Sequence, residues 1–238
     1  MKNLLVYLNP RKDFGKEHGI LAKIQIDNSL ELGWKVEDII LITNFPFEYR
    51  GVKALEIDDK YFCTAHDRAS KITAILYLFD KGMVNELFWF HDLDAFQLLP
   101  IEESELGLTK DAGFTDYGWS PKWNTGSFFF TPNSRDIFEL INKKVYEHTT
   151  TEEIALMMLE KDNTEGINDR YERLNITYNL GIKKIGKNYT EAIKPLKIIH
   201  FHPIKQRHLD LFLHGKNELK MVLIPDRLIK IFEKYGYK

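Results

Sequence analysis

The chain has 238 residues, 44% hydrophobic and 29% charged, with a formal net charge of -2. That length suits one large globular domain, and the near-neutral charge argues against a general nucleic-acid binder. The only cysteine, Cys63, excludes an intramolecular disulfide and fits a reducing compartment.

MKNLLVYLN opens with a short apolar run, Leu4 to Asn9, that reads as a buried strand ended by Asn-Pro. It turns polar too early for a signal peptide, and no later run of about 18 apolar residues could span a bilayer, so the expected location is the cytoplasm. Ligands in open α/β sheets sit in loops leaving the carboxyl ends of strands, which makes Asn9 a candidate contact. Ile20, Leu21, Ile24, Leu30 and Leu32 suit a helix stopped by Gly33, and Asp38 to Thr43 a second strand. Strand, helix, strand begins a mostly parallel sheet. The loop Asn44 to Gly51 carries Phe45, Phe47 and Tyr49, suited to packing beneath it or to stacking on a nucleobase, and VKALEI is predicted to be a third strand. Ala69, Ile72, Ile75, Leu76 and Phe79 then mark a helix before Gly82. Arg68 and Lys71, in its first turns, are placed either to hold phosphate or to pair with Asp67.

FWFHDLDAF, Phe88 to Phe96, is the predicted fourth strand. In an extended chain alternate side chains share a face, so Asp92 and Asp94 converge while His91 turns to the core side. Two converging carboxylates need a proton or a cation; the pair either holds a hard divalent ion or simply caps the strand. Leu98 to Thr115 shows no clear pattern. A loop with Trp119 and Trp123 follows, then Asn124-Thr125-Gly126 and an apolar strand from Ser127 to Thr131. Asn124 could contact sugar hydroxyls and Gly126 could admit a ligand close to the backbone, though a plain turn fits the same residues. Two helices are expected next, RDIFELINKKVYEH and TTTEEIALMMLEKDN. Thr149 to Thr151 are candidate caps of the second, and Glu152 and Glu153 lie in its first turn, where acids are favourable for structural reasons alone. Leu196 to Phe201 is an apolar run interrupted by His200, with Lys205 behind it, and LIPDRLIKIFEKYG closes as a helix. From Lys183 to Lys238 there are 13 Lys and Arg against 5 Asp and Glu. That basic segment would draw an anionic substrate, make peripheral contact with an anionic membrane surface, or form a solvated helix face.

Taken together, HDLDAF, NTGSF, the acidic pair in TTEEIALM and the late IIHFHPIKQR resemble the metal-dependent glycosyltransferases of GT-A type. The resemblance implies one GT-A domain over residues 1–238: an α/β fold with a mostly parallel, Rossmann-like central sheet flanked by helices. Its nucleotide-binding part would be about 1–97 and its acceptor-binding part about 98–238. It implies a metal held by Asp92, Asp94 and His200, with Lys205 on the diphosphate; Pro203 replaces the glycine of the glycogenin-like pattern. Asn9, Arg68, Lys71, Asp92, Asn124 and Gly126 would contact the sugar nucleotide, and Trp119 and Trp123 the acceptor. The mixed oxygen and nitrogen set suits Mn2+, with Mg2+ a substitute. The implied reaction moves a sugar from a nucleoside-diphosphate sugar, with UDP expected, to a hydroxyl of a glycan or other acceptor. The acidic pair leans toward inversion with Glu152 or Glu153 as base, the reading adopted, and the histidine pattern toward glycogenin-like retention. A sugar-nucleotide nucleotidyltransferase and a non-catalytic sugar or nucleotide binding module are the rivals. The two separated glycines of NPRKDFGKEHG count against the first.

Overall fold

The computed structural model describes residues 1–117, 123–181, 185–201 and 224–237. Strand β1 (Lys2–Tyr7) lies inside a seven-stranded sheet, and its apolar run serves both faces. Leu5 packs with Leu21 and Ile24 of helix α1 (Gly15–Glu31), while Leu4 packs with Ile72 and Ile75 of helix α2 (Ser70–Asp80). Strand β2 (Ile39–Thr43) runs parallel to β1. It starts one residue later than predicted because Val36–Asp38 close a 3-10 turn. Gly33 follows α1 at φ +91°, a conformation open to glycine at little cost.

VKALEI divides rather than forming one strand. Strand β3 (Glu48–Tyr49) pairs antiparallel with β4 (Val52–Lys53) across Arg50 and Gly51, both at positive φ, as a two-residue hairpin turn requires. Only β5 (Leu55–Glu56) joins the main sheet, parallel to β2. Phe45 packs against Phe14, ring centroids 4.9 Å apart, so this aromatic of the loop belongs to the core.

The opposite half of the sheet begins with β6 (Phe88–His91), parallel to β1. Strand β7 (Ala95–Gln97) leaves the main sheet; helix α3 (Glu103–Leu106) and strand β8 (Ala112–Asp116) emerge from the stretch that gave no pattern. Strand β9 (Trp123–Phe130) lies between β6 and β8, antiparallel to both. Its register sets Phe88 beside Phe130 and Phe90 beside Phe128, all fully buried. Each such ring stabilises the fold by about 1.5–3 kcal/mol through burial, and the aromatic pairs add to that. Helices α4 (Arg135–His148) and α5 (Glu152–Asp162) cover this face, α5 opening on a capping bond from Ile154 N to Thr151 Oγ1. Strand β10 (Tyr171–Arg173) completes the order β10-β8-β9-β6-β1-β2-β5. Four of its six pairings are parallel, as the mostly parallel expectation required.

A second sheet joins β11 (Leu180–Gly181) and β12 (Ile198–His200) to β7. Helix α6 (Ile185–Glu191) lies between β11 and β12 in the chain. Helix α7 (Asp226–Lys234) buries Leu228, Ile231 and Phe232 in the layer shared with α1. Among the described residues no helix is long and apolar enough to cross a membrane.

Candidate active site

Asp92 and Asp94 stand in a tight turn between β6 and β7, not in one extended strand. Ala95 N donates to Asp92 O at 3.0 Å and closes the turn, so the two carboxylates converge by chain reversal and not by strand alternation. The turn is held on every side. Asp92 N donates to Gly126 O at 2.8 Å, Phe201 N to Asp94 O at 3.0 Å, and Gln25 Nε2 to Leu93 O and Ala95 O, each at 2.9 Å. His91 is buried, with ring nitrogens 3.0 Å from Ala95 O and 2.8 Å from Asn3 Oδ1, and burial pushes its pKa down to about 3. It therefore belongs to the support of the turn, as its position opposite Asp92 implied.

His200 arrives from far along the chain because β12 pairs antiparallel with β7, with His200 directly opposite Ala95. One potential ligand atom from each of Asp92, Asp94 and His200 lies within 4.8 Å of the other two. The imidazole fills the space that Gly126 leaves on β9: a Cβ added there would sit 1.8 Å from His200 Cε1. The glycine thus admits a histidine ring rather than a ligand. Asn124 is also buried in β9, its Oδ1 accepting from Gly126 N at 3.1 Å, so its side chain shapes the strand.

The tautomer of His200 follows from its neighbours. Asn179 Nδ2 donates to Thr115 Oγ1 at 2.9 Å and to Asn124 O at 3.1 Å, which turns Asn179 Oδ1 toward His200 Nδ1 at 3.0 Å. Nδ1 therefore carries the proton it donates, and Nε2 presents a lone pair to Asp94 Oδ1 at 3.1 Å and to Asp92 Oδ2 at 3.9 Å. Lone pairs facing one another at that distance need a second imidazole proton or a cation between them. One nitrogen and two carboxylates are a donor set that could hold a divalent cation.

Lys71 joins this corner to α5. Its buried ammonium lies 3.0 Å from Asp92 Oδ1, 3.1 Å from Thr125 O and 3.0 Å from Glu152 Oε1, which saturates its three donors. Burial alone would lower its pKa, but the Asp92 and Glu152 carboxylates outweigh that and hold it charged. Burial pushes the Asp92 carboxyl upward, and Asp94 adds to the push while Lys71 opposes it. Burial also opposes the charge on Glu152, yet Lys71 keeps its carboxyl below the usual range, and Thr125 Oγ1 donates to the same Oε1 at 2.8 Å. Glu152 Oε2 is buried without a hydrogen-bond partner among the described residues. Glu153 differs: burial and the neighbouring Glu152 raise its pKa, while Tyr117 Oη donates to its Oε1 at 3.0 Å.

These groups line a cleft of about 790 Å3 at the carboxyl end of β1. Asn9, Arg68, Lys71, Asp92, Asp94, Glu152, Glu153 and His200 all face it. Trp123 does not. It is 1% exposed inside the core, donates from Nε1 to Glu160 Oε2 at 3.0 Å and stacks under Arg173, so the expected acceptor contact is corrected to a packing role. The cause is that β9 begins at Trp123, where the turn residues Asn-Thr-Gly suggested a loop. Trp119 and Lys205 lie outside the described residues. Sequence reasoning missed Tyr117, which lines the cleft and donates to Glu153, and Asn179, which acts through His200; neither has a local sign in the sequence.

No family model and no curated protein sequence matches the chain. Solved structures do. A glycosyltransferase involved in the glycosylation of the major capsid of PBCV-1 is 15% identical, with a TM-score of 0.55 over 84% of this chain and 93% of that one. The galactosyltransferase LgtC, in complex with donor and acceptor sugar analogues, is 10% identical, with a TM-score of 0.62 over 98% of this chain and 96% of its own. GlyE from Streptococcus pneumoniae TIGR4, also a glycosyltransferase, gives 15% identity and a TM-score of 0.60; this chain spans 61% of its length. The likeness is one of fold: a mixed α/β architecture with a central, mostly parallel sheet flanked by helices, the GT-A fold.

Proposed function

We propose that the chain is a glycosyltransferase that moves a sugar from a nucleoside-diphosphate sugar, with UDP as the nucleotide, to a hydroxyl of a glycan or other acceptor. The observation that carries this reading is the confrontation of His200 Nε2 with Asp94 and Asp92 at the floor of the cleft. Asp92, Asp94 and His200 would hold Mn2+, or Mg2+ in its place. An ion held there would supply positive charge for the leaving diphosphate. Lys71 keeps Asp92 oriented, and Arg68, exposed on the cleft wall, offers its guanidinium to the diphosphate. Residues 1–97 then form the nucleotide-binding part, with Asn9 at the end of β1, and residues 98–238 the acceptor-binding part. The fold neighbours named above support the reading, since all three carry glycosyltransferase names. The single buried Cys63 fits action in a reducing cytoplasm.

Of the acidic pair, Glu153 is the better general base. Its raised pKa makes it a stronger proton acceptor when ionised, and it reaches the cleft with a hydrogen bond from Tyr117. Deprotonating an acceptor hydroxyl there leads to inversion. A second reading rests on Glu152: ionised, pinned by Lys71 and Thr125, and with Oε2 unpartnered, it is suited to stabilise positive charge at the anomeric carbon, which needs no base and fits retention.

A panel of sugar nucleotides with Mn2+ tests the whole. Release of free nucleoside diphosphate from at least one donor is expected, and binding or turnover of none would refute the enzyme. The anomeric configuration of the product separates the two stereochemical readings. Inversion predicts that Glu153→Gln loses turnover by about 100-fold or more while Glu152→Gln loses less.

A further inference from the structure

A second cavity, of about 370 Å3, lies where α7 crosses α1, and none of its lining residues lines the donor cleft. Asp27 and Glu31 of α1 approach from one side, Arg50 from the β3–β4 hairpin, and Arg227, Lys230 and Lys234 from α7. Residues 227, 230, 231 and 234 fall at i, i+3, i+4 and i+7, so the three cations and Ile231 share one helix stripe. Four cations meet two carboxylates, an excess of two positive charges around one opening.

The cations divide into two sets. Arg50 and Lys234 are committed, each 2.8 Å from an oxygen of the buried Asp27. Arg227 and Lys230 form no ion pair among the described residues. Among the described residues the half-buried Arg227 guanidinium donates only to neutral oxygens, Asn28 Oδ1 at 3.1 Å and Leu98 O. Burial holds it below its ordinary pKa, with Glu31 opposing from a distance. A desolvated cation bonded to neutral acceptors, with an exposed ammonium one turn away, is a site short of negative charge.

We infer that this cavity binds a phosphate group, as a monoester or diester, through Arg227 and Lys230, apart from the sugar-nucleotide cleft. Planar guanidinium donors beside a flexible ammonium suit the tetrahedral oxygens of phosphate. A lipid headgroup and a soluble phosphate present the same chemistry here. Along α1, at about 1.5 Å per residue, the nearest lining residues of the two openings, His18 and Asp27, are about 14 Å apart, so one diphosphate cannot occupy both.

The test uses the full chain in calorimetric titration with inorganic phosphate and in co-sedimentation with phosphatidylglycerol or phosphatidylcholine vesicles. Lys230→Glu changes an exposed residue and should leave the melting temperature and donor turnover unchanged; Arg227→Gln also removes the bond to Leu98 O and serves as the second variant. Phosphate binding weakened about tenfold or more by Lys230→Glu, with Arg68→Ala lacking that effect, supports the site and a soluble source. Sedimentation with phosphatidylglycerol alone, lost in Lys230→Glu, supports it with a lipid source. Binding to neither probe, or binding equal in wild type and Lys230→Glu, overturns it. Because donor turnover is followed in the same variants, failure here is separable from failure of the sugar-transfer reading.

Discussion

Asp27 and Asp92 are both carboxylates set among cations, and they have opposite fates. Asp27 is 2% exposed and receives Arg50, Lys234 and the Tyr235 hydroxyl, each at 2.8 Å. Burial pushes its carboxyl up, but those donors outweigh it and hold the group below the usual aspartate range. Among the described residues Asp92 has one permanent cation, Lys71, which it shares with Glu152, and burial together with the neighbouring Asp94 carboxylate raises its pKa. A carboxylate saturated by its own chain fastens elements together, here α1, α7 and the β3–β4 hairpin. One left short of positive charge is complete only when a ligand supplies it.

The comparison breaks if the two sites respond alike. The largest effect is expected at the proposed metal corner: Asp94→Ala or His200→Ala should lower metal-dependent turnover by about 100- to 1000-fold, with melting of the metal-free protein little changed in Asp94→Ala and lowered in His200→Ala, which empties a buried site. Full activity in either would remove the metal role. Gly126→Ala should do comparable harm without touching a ligand, because its Cβ would occupy the place of His200 Cε1; Mn2+ titration followed by electron paramagnetic resonance reads the loss. Asn179→Ala should be milder, weakening Mn2+ binding by about 10- to 100-fold, since it removes the acceptor that fixes the His200 tautomer, together with the bonds to Thr115 and Asn124, but none of the three proposed ligands. Wild-type affinity in that variant would show that the ring needs no such guide.

Asp27→Asn should leave turnover intact and cost stability. Its partners Lys234 and Arg50 are about half exposed, so the expected loss, near 1–2 kcal/mol, falls below that of a fully buried pair. The pH dependence has a definite sign. A carboxyl depressed in the folded state stabilises fully above the ordinary aspartate value of 3.8, and the contribution fades as pH falls toward the lower folded value. Denaturant titrations across that range should show a shallower acid limb in Asp27→Asn; an unchanged slope would mean Asp27 contributes nothing.

Much of this was legible where the signal is local. The apolar runs of β1 and β6, the glycine after α1 and the threonine cap of α5 each announce themselves within a few residues. The pairing of HDLDAF with IIHFHP was legible as a set of potential ligand types, although the turn that brings Asp92 and Asp94 together was not, because it is held by bonds from β9, from Phe201 just past β12 and from α1. Lys71 carried a sign that charge alone obscured: it shares a helix face with Ile75 and Leu78 at i, i+4 and i+7, an apolar stripe where an ammonium must be paired. Trp123 misled for the converse reason. Its neighbours Asn124, Thr125 and Gly126 are turn formers by habit, and only the pairing with β8, itself without a clear pattern, makes them a strand.

The ladder between β7 and β12 has a consequence for the chain as a polymer. Asp94 and His200 are 106 positions apart, so an ion held between them would close a very long loop. Such a closure restricts the unfolded chain more than a cross-link between near neighbours, the entropy removed growing with the logarithm of loop length, about 0.6 kcal/mol per doubling. A bound ion would thus act as a removable staple, and a chelator would lower the protein's stability by restoring that freedom to the unfolded chain.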